Sequence, residues 1–380
     1  MPSPNSVAIA VRSLTDMQIR DLLNIATDNL IQAGQINLEW ALAQESYPAV
    51  DGLLEDDKIV LDGGTNITRR ITLDDAGGVQ WCDLFDHDNL SVEDITYPFT
   101  MPWRSAKVGA TWDRGEVARC AGKEQLYDLV KLRINAKLLA FCQSIENAAW
   151  TLPATPTTNA LWGIPTWVVG ITGLAVGIEG FYGCIPGGDA NWTSLAGITP
   201  CTFATTNTAA PLGGKDRWRN WAAQYGAVNQ SCLKQMRKAA IKTNFKPPRM
   251  LAGKIPSTFE GHRIYCNTDT QLDFCTLLEK RGDRAVLLDL KETSGEPVFK
   301  RAPIIAVPGL DPGMAAANAH DPIYMLNRRS FKFFAQHGEF MRISEATPVP
   351  TNHNMTQKWI DLTGQFVCLN RREQACLQKP

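Results

Sequence analysis

Hydrophobic residues of this chain follow helical periodicity in three segments. The longest is 123–150, where one stripe holds Leu126, Leu129, Val130, Ile134, Leu138, Phe141, Ile145 and Ala148. At a rise of ~1.5 Å per residue, this stripe predicts an amphipathic helix roughly 40 Å long. A second stripe in 15–34, between an N-cap at Thr15 and a stop at Gly34, predicts a helix near the amino terminus. A third predicts a helix over about 216–243, with an apolar side of Trp218, Trp221, Tyr225, Val228, Cys232, Met236 and Ala239.

The region 56–116 alternates between apolar and polar residues, as strands do. The alternation is clearest at 67–73 and at 106–112. Between these two runs, residues 74–101 are rich in Asp, Pro and aromatic residues, which is typical of the distal part of a long hairpin. A lone hairpin is marginally stable in water, so we expect this one to rest on another surface.

The second half of the chain alternates strand-like runs with one further helical segment. Residues 250–278 predict a strand, a turn and a short helix, and residues 285–306 predict strands. Four more strands are predicted in the tail, at 322–327, 330–335, 340–346 and 364–377. Strands that return after a helical middle close a discontinuous domain, so we expect the tail to pack against the helix at 123–150. Residues of about 151–310 would then form an inserted domain.

Composition narrows the class of protein. The 380 residues are 44% hydrophobic and 20% charged, which is ordinary for a folded chain with two or three cores. The 38 basic and 39 acidic residues give none of the basic excess of a nucleic-acid-binding domain. The ten cysteines are scattered without a C-x-x-C pair, so we interpret them as free thiols of a reducing compartment. Proline and glycine interrupt the most apolar stretch, 162–178, and no targeting segment is visible, which predicts a soluble protein with no membrane partner.

The sequence lacks the common catalytic, cofactor and metal motifs. A phosphate-binding G-x-x-x-x-G-K loop, a G-x-S-x-G elbow and an H-E-x-x-H pair are all missing, and the five histidines lie far apart. His87 and the acidic groups at 55–57, at 74–75 and at 83–88 would suit a hydrolase or a cation site if folding brought them together. Their positions beside predicted strands favour solvated turns instead. We therefore predict no catalytic, cofactor-binding or metal-ligating residues.

Two arginine pairs suit either of two partners. Arg328 with Arg329, and Arg371 with Arg372, could bind phosphate or could pair with carboxylates of a neighbouring subunit. The first 115 or so residues favour a partner, because they predict one amphipathic helix and long extended arms without a compact core of their own. We expect their apolar positions to be covered by other copies of the chain.

The order of elements and four local phrases resemble the HK97-type major capsid protein of tailed bacteriophages. The phrases are Thr27–Ala33, Asp321–Asn327, Gly338–Arg342 and Gly364–Ala375. The resemblance implies an α+β capsid fold in four parts: an N-terminal arm (1–55), an extended β-hairpin or E-loop (56–116), a spine-helix P-domain (117–150 and 311–380) and an inserted A-domain (151–310).

The resemblance also implies a function. The chain would form hexamers and pentamers that close an icosahedral shell, a virion component assembled in the cytoplasm of a host bacterium, and would not be an enzyme. Implied partners are scaffolding, portal and decoration proteins, and packaged double-stranded DNA held non-specifically on the inner face. We expect a separate scaffold or none and no cleavage, because 1–55 is too short to be both scaffold and arm. Lys107 is a formal candidate for the covalent cross-link known in the family, but no feature singles out its partner, and we expect none.

Two alternatives are compatible with the sequence. An encapsulin-type compartment shares the fold and would bind a cargo enzyme peptide inside its shell. A metal-dependent hydrolase, which belongs to a different class, would bring several of the scattered Asp and His residues within a few Å of one another around an ion.

Overall fold

The computed structural model describes most of the chain in separate ranges. These are 47–56, 58–73, 96–119, 123–171, 179–183, 192, 194–198, 217–243, 261–279, 290–293, 296–311 and 320–380. The predicted helix at 15–34 lies outside them. The chain divides into two compact units. The described part of the first belongs to Ser105–Ile145 and Ala335–Gly364, and the second comprises Ser46–Arg104, Glu146–Phe334 and Gln365–Pro380.

Helices and strands are numbered in chain order. The strands are β1 (Lys58–Leu61), β2 (Asn66–Thr72), β3 (Thr96–Pro102), β4 (Arg104–Asp113), β5 (Glu179–Gly183), β6 (Asn220–Gln224), β7 (His262–Cys266), β8 (Leu290–Thr293), β9 (Glu296–Phe299), β10 (Ala302–Ala306), β11 (Ile323–Asn327), β12 (Phe331–Gln336), β13 (Arg342–Ile343), β14 (Thr347–Val349), β15 (Asn352–Cys368) and β16 (Ala375–Gln378). The helices are α1 (Arg114–Arg119), α2 (Lys123–Trp150), α3 (Ile164–Trp167), α4 (Gln230–Thr243) and α5 (Thr268–Glu279). Val50–Asp56 forms a π-helical turn, and Pro308–Leu310 and Arg371–Glu373 form 3-10 turns.

Helix α2 and the long strand β15 organise the first unit. The helix spans Lys123–Trp150, as its apolar stripe predicts, and Val130, Ile134 and Phe141 of that stripe are buried. Strand β15 pairs with β4, β13 and β14. The predicted alternation at 106–112 is confirmed by strand β4. None of the helices in the described ranges combines the length and hydropathy that crossing a membrane requires.

The second unit is built on an eight-stranded mixed sheet in the order β5-β6-β16-β11-β7-β10-β9-β8. Cross-strand partners such as Ile304 with Ile264, and Met325 with Ile264, share one face of this sheet. Helices α4 and α5 cover that face through one continuous core that includes Met236 and Phe274. On the opposite face, the indole of Trp150 packs against Tyr265 and Tyr324, with ring centroids 5.2 and 6.2 Å apart. The sheet is therefore covered on both sides.

The helix predicted over 216–243 is wrong in its first half. Residues 220–224 form strand β6, in which all five residues are buried, and the helix begins only at Gln230. Asn229 caps it, because its Oδ1 accepts hydrogen bonds from the backbone N–H groups of Ser231 and Cys232 at 2.8 and 3.2 Å. The error has a physical cause: a strand buried on both faces carries apolar residues without clear alternation, and its spacing mimics a helical stripe.

The tail was predicted in part. Strands β11 and β12 confirm the predictions at 322–327 and 330–335, whereas 340–346 contains only the two-residue strand β13. The predicted strand at 364–377 is split: β15 begins earlier, at Asn352, and a 3-10 turn separates it from β16. Polar residues dominate the start of β15 and hide its alternation, in which Lys358, Ile360 and Leu362 are buried.

The cysteines of the described ranges are free thiols, as predicted: Cys142, Cys232, Cys266, Cys275, Cys368 and Cys376. Burial raises the pKa of Cys232 to about 12, and burial likewise raises the pKa of Cys368 to about 12. Both therefore stay protonated at neutral pH and pack as small apolar side chains.

Candidate functional site

Most of the polar residues that the sequence suggests for chemistry lie outside the described ranges. These are His87 and the acidic groups at 74–75 and 83–88. His337 is exposed in the turn after β12. Within the described ranges, no three His, Cys, Asp or Glu side chains lie close enough together to hold a metal ion. Two other arrangements, both within the second unit, are well defined. One is an aromatic cluster that holds the base of a hairpin, called the seat below, and the other is a buried carboxylate that binds the segment before the hairpin, called the tether.

Strands β2 and β3 form an antiparallel hairpin. The strand predicted at 67–73 is confirmed by β2, but its partner is β3, within the predicted distal part 74–101, and the predicted partner run at 106–112 belongs to β4, which pairs with β15. The register of β2 and β3 pairs Ile67 with Met101 and Arg69 with Phe99, and the two strands form a separate two-stranded sheet. Ile67, Phe99 and Met101 are buried, whereas most of the remaining β2 side chains are exposed. The segment that joins the two strands, 74–95, lies outside the described residues. The described part of the hairpin thus has one buried face near its base.

An aromatic cluster forms the seat of this hairpin. The ring of Phe99 lies 5.8 Å from that of Trp167 and 5.7 Å from that of Trp218, the second in an edge-on arrangement. Trp162 extends the cluster by packing against Trp167 at 5.9 Å and against Trp192 at 5.4 Å. The hairpin backbone is also held, because the Thr100 N–H donates to the Ala196 carbonyl at 2.9 Å. Edge-on and tilted contacts between large buried rings fix orientation as well as burying area.

Arg371 lies beneath the cluster and is completely buried. Its Nε donates to the Trp167 carbonyl at 2.7 Å, and its guanidinium also donates to the Trp218 carbonyl at 3.1 Å and to Asn220 Oδ1 at 3.3 Å. The guanidinium carbon lies 5.1 Å from the centroid of the Trp218 ring, which adds a cation–π contact. Arg371 therefore fixes the chain segments that carry two of the tryptophans, and the seat depends on a residue from the tail of the chain.

The other three arginines of the two pairs are placed differently. Arg372 lies over the Phe181 ring at 4.4 Å, and partial burial lowers its pKa, with a further contribution from the positive charge of Arg217. Arg328 donates to the Gly52 carbonyl at 2.5 Å. The backbone N–H of Arg329 donates to Asn327 Oδ1 at 3.1 Å. Arg371 and Arg328 therefore both donate hydrogen bonds to backbone carbonyls of the same chain.

A carboxylate tethers the segment that precedes the hairpin. Glu146 of α2 is buried and accepts hydrogen bonds from the N–H groups of Ala49 and Val50, each at 3.0 Å to Oε2. The Trp150 indole donates to its Oε1 at 2.6 Å. The two backbone donors lie at the start of a helical turn, where N–H groups are otherwise unpartnered and a negative charge is favourable. Burial raises the pKa of Glu146, and these hydrogen bonds offset only part of that effect.

The raised pKa of Glu146 predicts a pH-dependent stability. The folded chain binds this proton more tightly than the unfolded chain, so stability is largest below the ordinary pKa and decreases as pH rises through the raised value. Glu146→Gln removes the titration, so its free energy of unfolding should improve relative to the unmodified protein between about pH 4 and about pH 7. Denaturant unfolding of both proteins across that range measures the difference. Glu279→Gln, on an exposed position of α5, is the control, and an equal trend in the control contradicts the prediction.

Sequence reasoning missed the main members of both features. The sequence predicts Trp218 on the apolar side of a helix and places Phe99 in the aromatic-rich distal part of the hairpin, and neither pattern indicates that the two rings meet. Both side chains, like that of Trp167, are buried. Arg371 and Glu146 carry charges that usually indicate a solvated surface. Their contacts come from far away in the sequence, 204 positions for Arg371 with Trp167 and 97 for Glu146 with Ala49. A local pattern holds no signal for either contact.

Comparison with known proteins finds similarity among solved structures. No protein-family model matches the chain, and a search of curated proteins gives no significant match. Among solved structures, the chain is similar to the cyanophage A-1(L) capsid asymmetric unit, with 12% identity, coverage of 90% of this chain and 95% of that one, and a TM-score of 0.56. It is also similar to the capsid of the empty GTA particle, with 10% identity, coverage of 88% and 97%, and a TM-score of 0.51. The capsid of the native GTA particle gives 10% identity, coverage of 92% and 98%, and a TM-score of 0.51. At such low identities the likeness shows the fold, and the chain has the α+β HK97-type capsid fold that its sequence resembles.

Proposed function

We propose that this chain is the major capsid protein of a tailed bacteriophage, which self-assembles into the icosahedral shell that encloses phage DNA. One observation carries the proposal: the fold matches capsid subunits over 88–92% of this chain and 95–98% of theirs. Both chains are therefore accounted for almost in full, including the elements that lie outside a compact core. The proposed role is structural and not enzymatic.

The hairpin supports an assembly role. Strands β2 and β3 pair with each other in a sheet of two strands, and such a sheet is marginal without a further surface. Its base rests on the aromatic seat, while Thr68, Arg69 and Arg70 of β2 are exposed. Neighbouring copies are the partners that would cover such a surface in a shell.

The proposed domains follow the family division. They are the arm (1–55), the E-loop (56–116), the P-domain (117–150 and 311–380) and the A-domain (151–310). Under this assignment the P-domain and A-domain share the eight-stranded sheet, since β11 and β16 come from the tail and their neighbours β6 and β7 from the insert.

Further partners belong to the same proposal. Hexamers and pentamers of this chain would form the virion shell in the host bacterial cytoplasm, with scaffolding, portal and decoration proteins as additional contacts. Packaged double-stranded DNA would lie against the inner face without sequence recognition. The near balance of 38 basic and 39 acidic residues suits a surface that confines DNA without binding it tightly.

Assembly of the purified protein tests the proposal. The expressed chain should form closed shells, tubes or capsomer rings in negative-stain electron microscopy and a fast-sedimenting species in sedimentation velocity. A stable monomer with catalytic activity contradicts the proposal. Particles that enclose a specific enzyme cargo through a bound peptide support an encapsulin-type compartment instead.

A further inference from the structure

Helix α4 exposes a face with basic side chains around one apolar residue. The sequence of the helix contains Lys234, Arg237, Lys238 and Lys242 and no acidic residue. Ile241 is 68% exposed and follows Lys234, Arg237 and Lys238 by seven, four and three positions, so all of them lie on the same side of the helix. Lys238 pairs with Glu179 of β5, whereas Lys234 and Lys242 are exposed. The face is therefore basic with an apolar centre.

Helix α5 exposes a face of the opposite charge with the same layout. Its sequence contains Asp269, Asp273 and Glu279 and no basic residue. Leu272 is 58% exposed, and the exposed positions Asp269, Asp273 and Glu279 follow the helical repeat around it. Ile241 and Leu272 are the two most exposed large hydrophobic side chains in the described part of the chain. Each lies on an exposed helix face that carries charged side chains, and the two faces have opposite signs.

The two faces lie toward opposite ends of one sheet. Helix α4 contacts β6 and β16, the second and third strands of the order, and α5 contacts β10, β9 and β8, the last three. At ~4.8 Å per strand the helices are about 20 Å apart, too far for an ion pair within one copy. Both pack on the same side of the sheet through the continuous core. One copy thus presents a basic face at one end and an acidic face at the other.

We propose that the α4 face of one copy docks against the α5 face of a second copy, head to tail. Charge complementarity selects the partner, and burial of Ile241 against the Leu272 side of the neighbour supplies the apolar centre of the contact. A head-to-tail contact uses two different surfaces of each subunit, and repetition of it closes a ring when the rotation allows. The inference rests on the proposed function, because it assigns the surface that joins neighbouring copies within a capsomer.

Charge reversal tests this contact. One variant carries Lys234→Glu and Lys242→Glu, and the other carries Asp273→Lys and Glu279→Lys; all four positions are exposed in the unmodified subunit. Either variant alone should weaken association by about tenfold or more, because like charges then face each other. A 1:1 mixture of the two variants should regain association, since each contact between unlike variants again joins opposite charges. The combined four-residue variant should also regain it, and it serves as the matched control for the number of substitutions.

The readouts separate this inference from the proposed function. Mass photometry at several protein concentrations measures association, and thermal unfolding of the isolated subunits shows whether each variant folds. Shells that form unchanged from either reversed variant overturn the docking contact and leave the capsid function standing. Reversed variants that fail while the mixture and the combined variant also fail overturn it too. An unmodified protein that never associates contradicts both.

Discussion

Replacement of Arg371 by alanine is expected to lower the free energy of unfolding of the subunit by about 3–5 kcal/mol. The substitution leaves the buried carbonyls of Trp167 and Trp218 and the Oδ1 of Asn220 without this donor, and it removes the contact with the Trp218 ring. Each unmet buried acceptor costs about 1–3 kcal/mol. Denaturant unfolding followed by tryptophan fluorescence measures the loss, because the tryptophans lie at the affected position.

Two further variants define the cause of this loss. Arg371→Lys keeps the charge but not the planar fork, so it should lose most of the same stability. Arg372→Ala removes a half-buried neighbour stacked on Phe181 and should cost about 1 kcal/mol. Equal losses for Arg371→Ala and Arg372→Ala would show that the buried hydrogen bonds of Arg371 contribute nothing specific.

Phe99→Ala is expected to abolish shell assembly while the eight-stranded sheet of the subunit stays folded. Phe99 is fully buried between Trp167 and Trp218, and truncation of such a ring costs about 3–5 kcal/mol. It belongs to the hairpin and not to the core formed by the sheet with α4 and α5, so the loss falls on the hairpin seat. Limited proteolysis should cut the hairpin sooner, and negative-stain microscopy should show few or no particles.

Phe99→Leu is the matched control for this prediction. Leucine keeps an apolar side chain in the seat, so assembly should be reduced far less than by alanine. Thr68→Ala, on the exposed side of the same hairpin, controls for any change in the strand itself. Normal particle yield from Phe99→Ala would mean that the aromatic seat does not position the hairpin for assembly.

Some elements of this fold could be predicted from local sequence because their burial is one-sided. Helix α2 shows its stripe over its entire length, and β2 and β4 show alternation, since each exposes one side to solvent. Strand β6 was assigned to a helix because it is buried on both sides and alternation is lost. A prediction from the hydrophobic pattern is therefore more accurate for an element buried on one side than for one buried on both sides.

The seat and the tether could not be predicted, since they depend on contacts between distant parts of the sequence. Arg371 lies 204 and 153 positions after its partners Trp167 and Trp218, and Phe99 comes from the hairpin. The eight-stranded sheet, in which β16 pairs with β6, brings these segments together. A buried arginine or glutamate cannot be distinguished from a solvated one before that topology is known.

The two proposals concern different surfaces of the same subunit. The seat holds the base of the hairpin, whose exposed positions would reach neighbouring copies, and the α4 and α5 faces would join copies through the sheet-bearing body. Phe99→Ala and the charge reversals therefore disable different contacts. The assembly defect of Phe99→Ala should not depend on salt concentration, whereas association through α4 and α5 should weaken as ionic strength rises.

A cryo-electron microscopy reconstruction of assembled particles tests the central claim most directly, namely that this chain is a shell subunit whose hairpin is covered by other copies. The account predicts a closed icosahedral shell in which the exposed side of β2, at Thr68 and Arg70, lies against a neighbouring subunit. A reconstruction in which that side faces solvent in every copy, or a protein that yields only folded monomers, would contradict it.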